Sequence, residues 1–294
     1  MKNSLIKLIR GKGIILVYHR VLPLNKIDNS LVNISVSVNN FINQINYLKK
    51  NFDIISLDDL LVHLKSKSNK FKIAITFDDG YKDNLQYAYP ILERFKAPAT
   101  IYVITKFIGN KCMPWWIKLD HFIKNNNIDR NKKIKFNFFK NDLLFDDQLN
   151  IDNKVSSFIG NNYKLKRNLF LDQKEIQYLS KQKLITIGSH SHSHYNFSQL
   201  TQEQALSELK ISKSILEKII KKKILHFSYP YGGYENINLR HTKLLKNLGY
   251  LSAVTTIRKK LYQLNQFELP RVFVNNDNYL FRLKLKLLGF RKFY

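Results

Sequence analysis

Seven short runs of apolar, β-branched residues punctuate the chain, at 13–18, 72–77, 99–105, 184–188, 226–229, 250–256 and 268–274. Each is too short for a stable helix and nearly continuous in apolar character, the pattern of a strand buried on both faces. Between them the apolar positions recur at helical spacing. Such stretches cover 41–50 and 57–64 after the first run, 84–95 after the second, and 173–181, 201–220 and 238–248 in the later gaps. The clearest is 201–220. Leu206, Leu209, Leu216 and Ile219 form one stripe, with Thr201 placed as N-cap and Gln204 three positions on to complete a capping box. Gly249 follows the last pattern, where a helix C′ residue belongs.

Strands alternating with helices predict an α/β fold whose parallel sheet closes, or nearly closes, into a barrel. About seven strands rather than eight predict an irregular one. The stretch at about 109–172 breaks the alternation: it is rich in Asn, Lys and Phe and carries one short aromatic helix pattern at 115–123. It reads as an insertion within a single domain spanning 1–294. No internal repeat and no Pro-, Gly- or Ser-rich linker divides the chain.

The charge changes the picture of partners. Lys and Arg number 49 against 22 Asp and Glu, a formal net charge of +27, and such a field favours anionic partners. A Lys- and Asn-heavy composition accounts for it equally well without any partner. No nucleic-acid-binding signature accompanies the charge, so no nucleic acid is expected. Both ends combine basic and apolar residues, Leu5 to Arg10 at the start and Phe281 to Leu288 within a basic C-terminal segment at about 279–294. Either offers a peripheral contact for an anionic membrane surface, although the second also alternates like a strand that closes the barrel. No apolar run approaches the ~20 residues of a membrane-spanning helix, and no secretory cleavage site is apparent, so a cytoplasmic location is expected, with peripheral docking at a membrane as one of two readings of the basic ends and compositional bias as the other. The lone cysteine, Cys112, excludes an intrachain disulfide and leaves the redox compartment open.

Placed on this scaffold, the reactive residues fall at strand ends. His19 follows the first run, Asp78 and Asp79 the second, His190 the fourth, and Tyr231 and Gly232 the fifth. In parallel α/β barrels the loops after the strands share one face, so these clusters should converge. Two successive carboxylates on a strand point to opposite sides, so one can bind a metal while the other takes a proton; a turn with a helix N-cap is the competing reading. His190 and His194 are four apart, and on a helical turn their imidazoles would face the same way and chelate one cation. With one carboxylate oxygen they would make a three-ligand site with an open position, as in catalytic zinc centres. His192 lies on another face. Tyr229-Pro230-Tyr231-Gly232-Gly233 is a tight turn whose amides could face a developing oxyanion.

Together these residues resemble the polysaccharide deacetylase family, the NodB-homology fold of carbohydrate esterases. Thr76-Phe77-Asp78-Asp79-Gly80 matches its first motif, His190-Ser191 with His194 its second, and Ser228-Tyr229-Pro230-Tyr231-Gly232 is similar to its third. The resemblance spans roughly residues 13–274. It implies that Asp79, His190 and His194 hold a divalent metal, usually Zn2+, and that Asp78 is the general base. It also implies that the Tyr231 N–H helps form the oxyanion hole. Leu16 to Val21 looks like members in which an N-terminal histidine, here His19, serves as the general acid. Two departures stand out. The third motif usually begins with an arginine that braces the catalytic aspartate, but Ser228 stands there, and Arg271 is the candidate replacement, with an ordinary charge at the barrel rim as the alternative. The fourth motif, an Asp and Trp pair, is not recognisable; Trp115 and Trp116 are either a sugar-stacking wall or core.

The resemblance implies hydrolysis of N-acetyl groups from an amino-sugar glycan or a lipid-linked sugar precursor. Two rivals stay open: a hydrolase of another linear or cyclic amide on the same fold, and a non-catalytic glycan- or membrane-binding protein. The second has no need of a base beside a metal site.

Overall fold

The computed structural model describes residues 12–27, 32–125, 142–160, 168–257, 261, 265–275 and 283. The described chain opens with β1 (Gly13–Tyr18), β2 (Arg20–Leu22), β3 (Ser35–Ser37), helix α1 (Val38–Asn51), β4 (Asp53–Ile54) and α2 (Leu57–Lys65). It continues with β5 (Lys72–Phe77), α3 (Tyr89–Arg94), β6 (Ala99–Val103), α4 (Trp115–Asn125), α5 (Ile151–Ile159) and α6 (Gln173–Ser180). Then come β7 (Ile185–Ser189), α7 (Gln202–Ile220), β8 (His226–Ser228), α8 (Thr242–Asn247), β9 (Ser252–Val254) and β10 (Val272–Phe273).

The main sheet runs β10-β1-β5-β6-β7-β8-β9, with β4 beside the start of β5, and its recorded pairings are parallel. It curls until its two edges share one segment. Leu269 bridges Val254 of β9, and three residues later Val272 pairs with Leu16 of β1. This is the irregular barrel expected from the seven apolar runs. A small second sheet pairs β2 with β3.

Successive strand residues serve two compartments. On the outside, Leu16, Tyr18, Ile75, Phe77, Ile101, Val103 and Ile187 belong to the large core with the helices. On the inside, Ile15, Ala74, Tyr102 and Val254 cluster with Leu57, Leu60 and Leu61, so α2 plugs the barrel floor. His226 fastens the plug: its Nε2 lies 3.0 Å from Asp58 Oδ1 on α2, and its Nδ1 lies 2.9 Å from Ser252 Oγ. Burial on both sides is why these strands read as continuous apolar runs.

Several elements differ from expectation. The pattern at 84–95 begins with a wide π turn at Asn84–Ala88 before α3, and 238–248 splits into a 3-10 turn at Leu239–His241 and α8. Within 109–172, α4 and α5 pack on each other through Trp115, Leu119, Ile151 and Val155. The basic segment at about 279–294 falls outside the described residues apart from Leu283, and so does 5–10. No helix of the described residues is long and apolar enough to cross a membrane.

One position in the barrel wall has no room for a side chain. Gly188 pairs with Tyr102, whose ring covers it; a Cβ there would sit 2.5 Å from a ring carbon and 3.1 Å from the His226 carbonyl oxygen. Gly188→Ala is expected to cost about 1–3 kcal/mol in urea unfolding, the range for overpacking a filled core. Wild-type stability in that variant would contradict the close contact.

Candidate metal and catalytic site

The site forms where β1, β5, β7 and β8 end. The β5 strand stops at Phe77, and the chain turns sharply because Asp79 and Gly80 both take left-handed φ, 73° and 71°. A Cβ on Gly80 would also come within 3.1–3.3 Å of Val103. The turn replaces strand alternation, and both carboxylates come near His190 Nε2, Asp79 Oδ1 at 3.4 Å and Asp78 Oδ2 at 3.9 Å, rather than lying on opposite sides as in a straight strand. Asp78 faces into the barrel, and Asp79 faces the histidines.

His190 follows β7, and its backbone N–H still bonds Val103 O at 3.0 Å. The segment to His194 is not a helical turn, contrary to the spacing argument. Ser191 and His194 have φ of 63° and 61°, and the loop docks on 105–106 through Thr105 N–H to Ser191 O and Lys106 N–H to His192 O. The imidazoles meet because the loop folds over. His190 Nε2 lies 3.4 Å and His194 Nε2 3.6 Å from Asp79 Oδ1, and the three donor atoms fall within 4.8 Å of one another. His192 takes no part: its Nδ1 meets Thr105 Oγ1 at 2.8 Å.

These donors fit a divalent cation. Ligands about 2.0–2.1 Å from a tetrahedral metal lie about 3.3–3.4 Å apart, close to the spacings of Asp79 with each histidine. His190 Nδ1 donates to the Ser228 carbonyl at 2.8 Å, which leaves the Nε2 lone pair facing the site. Among the described residues His194 has no such partner at Nδ1, and its ring lies 4.8 Å from Trp116 and 4.7 Å from Tyr231. Burial pushes His194 down to about 3, with His190 adding to the effect. Burial also opposes charge on His190, but Asp78 and Asp79 outweigh it and raise its pKa. Asp79 is held below the ordinary carboxylate range because the three surrounding histidines outweigh its burial.

Arg271 enters from the segment before β10 and is 1% exposed. Its Nη1 and Nη2 donate to Asp78 Oδ1 and Oδ2 at 2.7 and 2.6 Å. Further bonds reach Thr76 Oγ1 (3.1 Å), Ser228 Oγ (2.9 Å) and the Thr255 carbonyl (3.1 Å). It is therefore inside the barrel, not a charge at its rim. The short Ser228 side chain also donates to Asp78 Oδ2 at 3.3 Å and leaves space for the guanidinium. Burial alone would raise the Asp78 pKa; Arg271, with His190 and His19, outweighs it and holds the carboxyl below its ordinary range.

Two further residues approach this centre. His19 is half-buried, packs its ring at a tilt against Phe273 with centroids 5.3 Å apart, and lies within the field of Asp79 and Asp78; burial lowers its pKa against their pull. Its backbone is held by residues that sequence reasoning missed: Asn84 donates to His19 O at 2.7 Å, and Asp83 accepts from Arg20 Nε and Val21 N–H, both at 2.9 Å. Tyr231 centres a three-residue γ-turn, with φ of 61° and Gly232 N–H bonded to Pro230 O at 2.6 Å. Of the two tryptophans, Trp115 is core at 4% exposure, while Trp116 is the one beside His194.

The Arg271–Asp78 contact predicts a stability effect. Arg271→Met would leave a buried carboxylate unpaired and is expected to cost about 3–5 kcal/mol in urea unfolding near neutral pH. Adding Asp78→Asn should recover part of that loss. Strict additivity of the two single changes would contradict direct coupling.

The fold is shared with known proteins. A family profile for polysaccharide deacetylase matches residues 65–253. The Bacillus subtilis (strain 168) polysaccharide deacetylase homologue YxkH is 27% identical over 197 residues, 67% of this chain; the alignment spans about half of that relative, 49% of its length. The poly-beta-1,6-N-acetyl-D-glucosamine N-deacetylase of Staphylococcus aureus (strain MRSA252) is 23% identical over 91% of this chain and 80% of its own. In fold, the chain is similar to the Streptococcus pyogenes deacetylase PplD (TM-score 0.64, 20% identity, covering 94% of this chain and 98% of that one). It is likewise similar to IcaB from Ammonifex degensii (TM-score 0.66, 17% identity, 95% and 97%). The profile covers more than half of the sequence and includes the Asp78-Asp79 and His190–His194 motifs, so the chain belongs to the polysaccharide deacetylase family.

Proposed function

We propose that the protein is a metal-dependent hydrolase that removes N-acetyl groups from an amino-sugar glycan or a lipid-linked sugar precursor. The observation that carries this reading is the pairing of two functions at one strand end. Asp79 shares a three-donor cluster with His190 and His194, while Asp78, one residue earlier and 3.9 Å from His190 Nε2, has both carboxylate oxygens bound by Arg271. A site that only bound a glycan would not require the second, separately held carboxylate. The similarity to a poly-N-acetylglucosamine deacetylase supports an N-acetylated glycan as the substrate class.

In this reading Asp79, His190 and His194 hold the metal, with Zn2+ favoured by the two-nitrogen, one-oxygen donor set. One divalent ion there would supply Lewis-acid activation of a water molecule and of the acetamide carbonyl. Asp78 accepts the proton of the attacking water, its geometry fixed by the two bonds from Arg271. Among the described residues the Tyr231 N–H has no acceptor, so it is available to donate to the carbonyl oxygen as that atom gains charge. His19 protonates the departing amine, with Asn84 bonded to its carbonyl and Asp83 holding Arg20 and Val21 just after it. The products are acetate and a free amino sugar.

The assignments separate by variant. Asp78→Asn should keep its metal and lose about 10²–10⁴-fold in turnover on an N-acetylated oligosaccharide. Asp79→Asn should lose metal first, and His19→Ala should lower turnover with metal content intact. An Asp78→Asn enzyme as fast as wild type would remove the general-base role. Cleavage of a cyclic amide but of no N-acetylated sugar would favour the other amide-hydrolase reading.

A further inference from the structure

We propose that Glu208 is a positioning residue that sets the shape of the loop carrying His190 and His194, and through it the affinity of the metal site. This rests on the metal-site reading above. The loop cannot take helical form with Ser191 and His194 in left-handed conformation, so its amides need acceptors from elsewhere. His194 N–H finds Ser191 Oγ at 2.9 Å. The N–H groups of His192 and Ser193 turn toward a single atom, Glu208 Oε2, at 2.9 and 2.7 Å. Successive amides pointing into one concavity make an anion-binding nest, and here a side chain of the same protein fills it.

The carboxylate is delivered by a rigid support. Glu208 is 6% exposed, and on α7 it shares the sheet-facing side with Ala205, Leu209 and Ser212, all buried. Ser212 Oγ lies 2.8 Å from Ser189 Oγ at the end of β7. One helix turn thus registers α7 against the strand, and the preceding turn places the carboxylate under the loop that follows it. A charged group is rarely buried this far without compensation, and the two amides supply it. Glu208 touches neither the donor atoms nor the space between them, so its effect on the metal must pass through the loop backbone.

Because both amides use one oxygen, acceptor and charge can be tested apart by titrating metal-free protein with Zn2+ and recording the visible spectrum of the Co2+ form. Glu208→Ala should lower affinity about 10–100-fold, the usual range for groups that orient metal ligands, and alter the Co2+ spectrum. Glu208→Gln keeps an acceptor oxygen and should stay near wild type. Glu208→Asp keeps the charge but draws the oxygen away from the amides, so it should also lose affinity; it carries the test if the alanine variant does not fold. Leu216→Ala, buried on the same helix but remote from the loop, should lose stability and keep affinity. Undiminished Zn2+ affinity in Glu208→Ala or Glu208→Asp, or an equal loss in Leu216→Ala, would overturn the proposal while leaving the metal site standing. Wild-type protein that takes up no metal would overturn both.

Discussion

A guanidinium and a carboxylate lie side by side in the interior of the barrel, and much of the surrounding architecture follows from accommodating them. Arg271 belongs to the segment that joins the two edges of the sheet, so closing the barrel and delivering the arginine to Asp78 are one event. Both side chains are almost wholly buried, and such a pair is tolerated only when its remaining hydrogen-bonding capacity is met. Thr76, Ser228 and the Thr255 carbonyl meet it, each from a different strand or strand end. The pair gains little net stability by comparison with an apolar core. Its consequence is that the Asp78 carboxylate is fixed through both oxygens at the end of β5.

The neighbouring carboxylate lives under different rules. One left-handed residue turns Asp79 away from the arginine and toward two imidazoles. Like charges on adjacent residues would ordinarily raise one another's pKa. Here Arg271, with His190 and His19, offsets burial at Asp78, the histidines do so at Asp79, and both lie below the ordinary carboxylate range. In the proposed chemistry that separation lets one group bind a cation while the other stays free to take a proton.

Much of this was legible in the sequence because the strands are buried on both faces. Runs at 13–18 and 72–77 coincide with β1 and β5, and the others fall within a few residues of observed strands. The short strands β2, β3 and β4 carry no comparable run and were invisible to periodicity. At the site, residue types and order were readable, but the backbone conformation was not. Spacing four apart suggested a helical turn for His190 and His194, whereas a folded loop with two left-handed residues brings them together. Strand alternation likewise misplaced Asp78 against Asp79, since it takes no account of the turn that Gly80 permits. Asp83, Asn84 and Glu208 escaped notice for a related reason: each acts by accepting or donating to backbone groups distant in sequence, and such contacts leave no local pattern.

The account rests on a metal-assisted attack on an N-acetyl group. The most direct measurement is the release of acetate and of free amine from N-acetylglucosamine oligomers by purified protein, before chelation, after it, and after Zn2+ is restored. The account predicts equal amounts of the two products, loss of both on chelation, and recovery with about one equivalent of metal. Turnover undiminished in fully metal-free protein, or no acetate from any N-acetylated sugar by the metal-loaded protein, would contradict it.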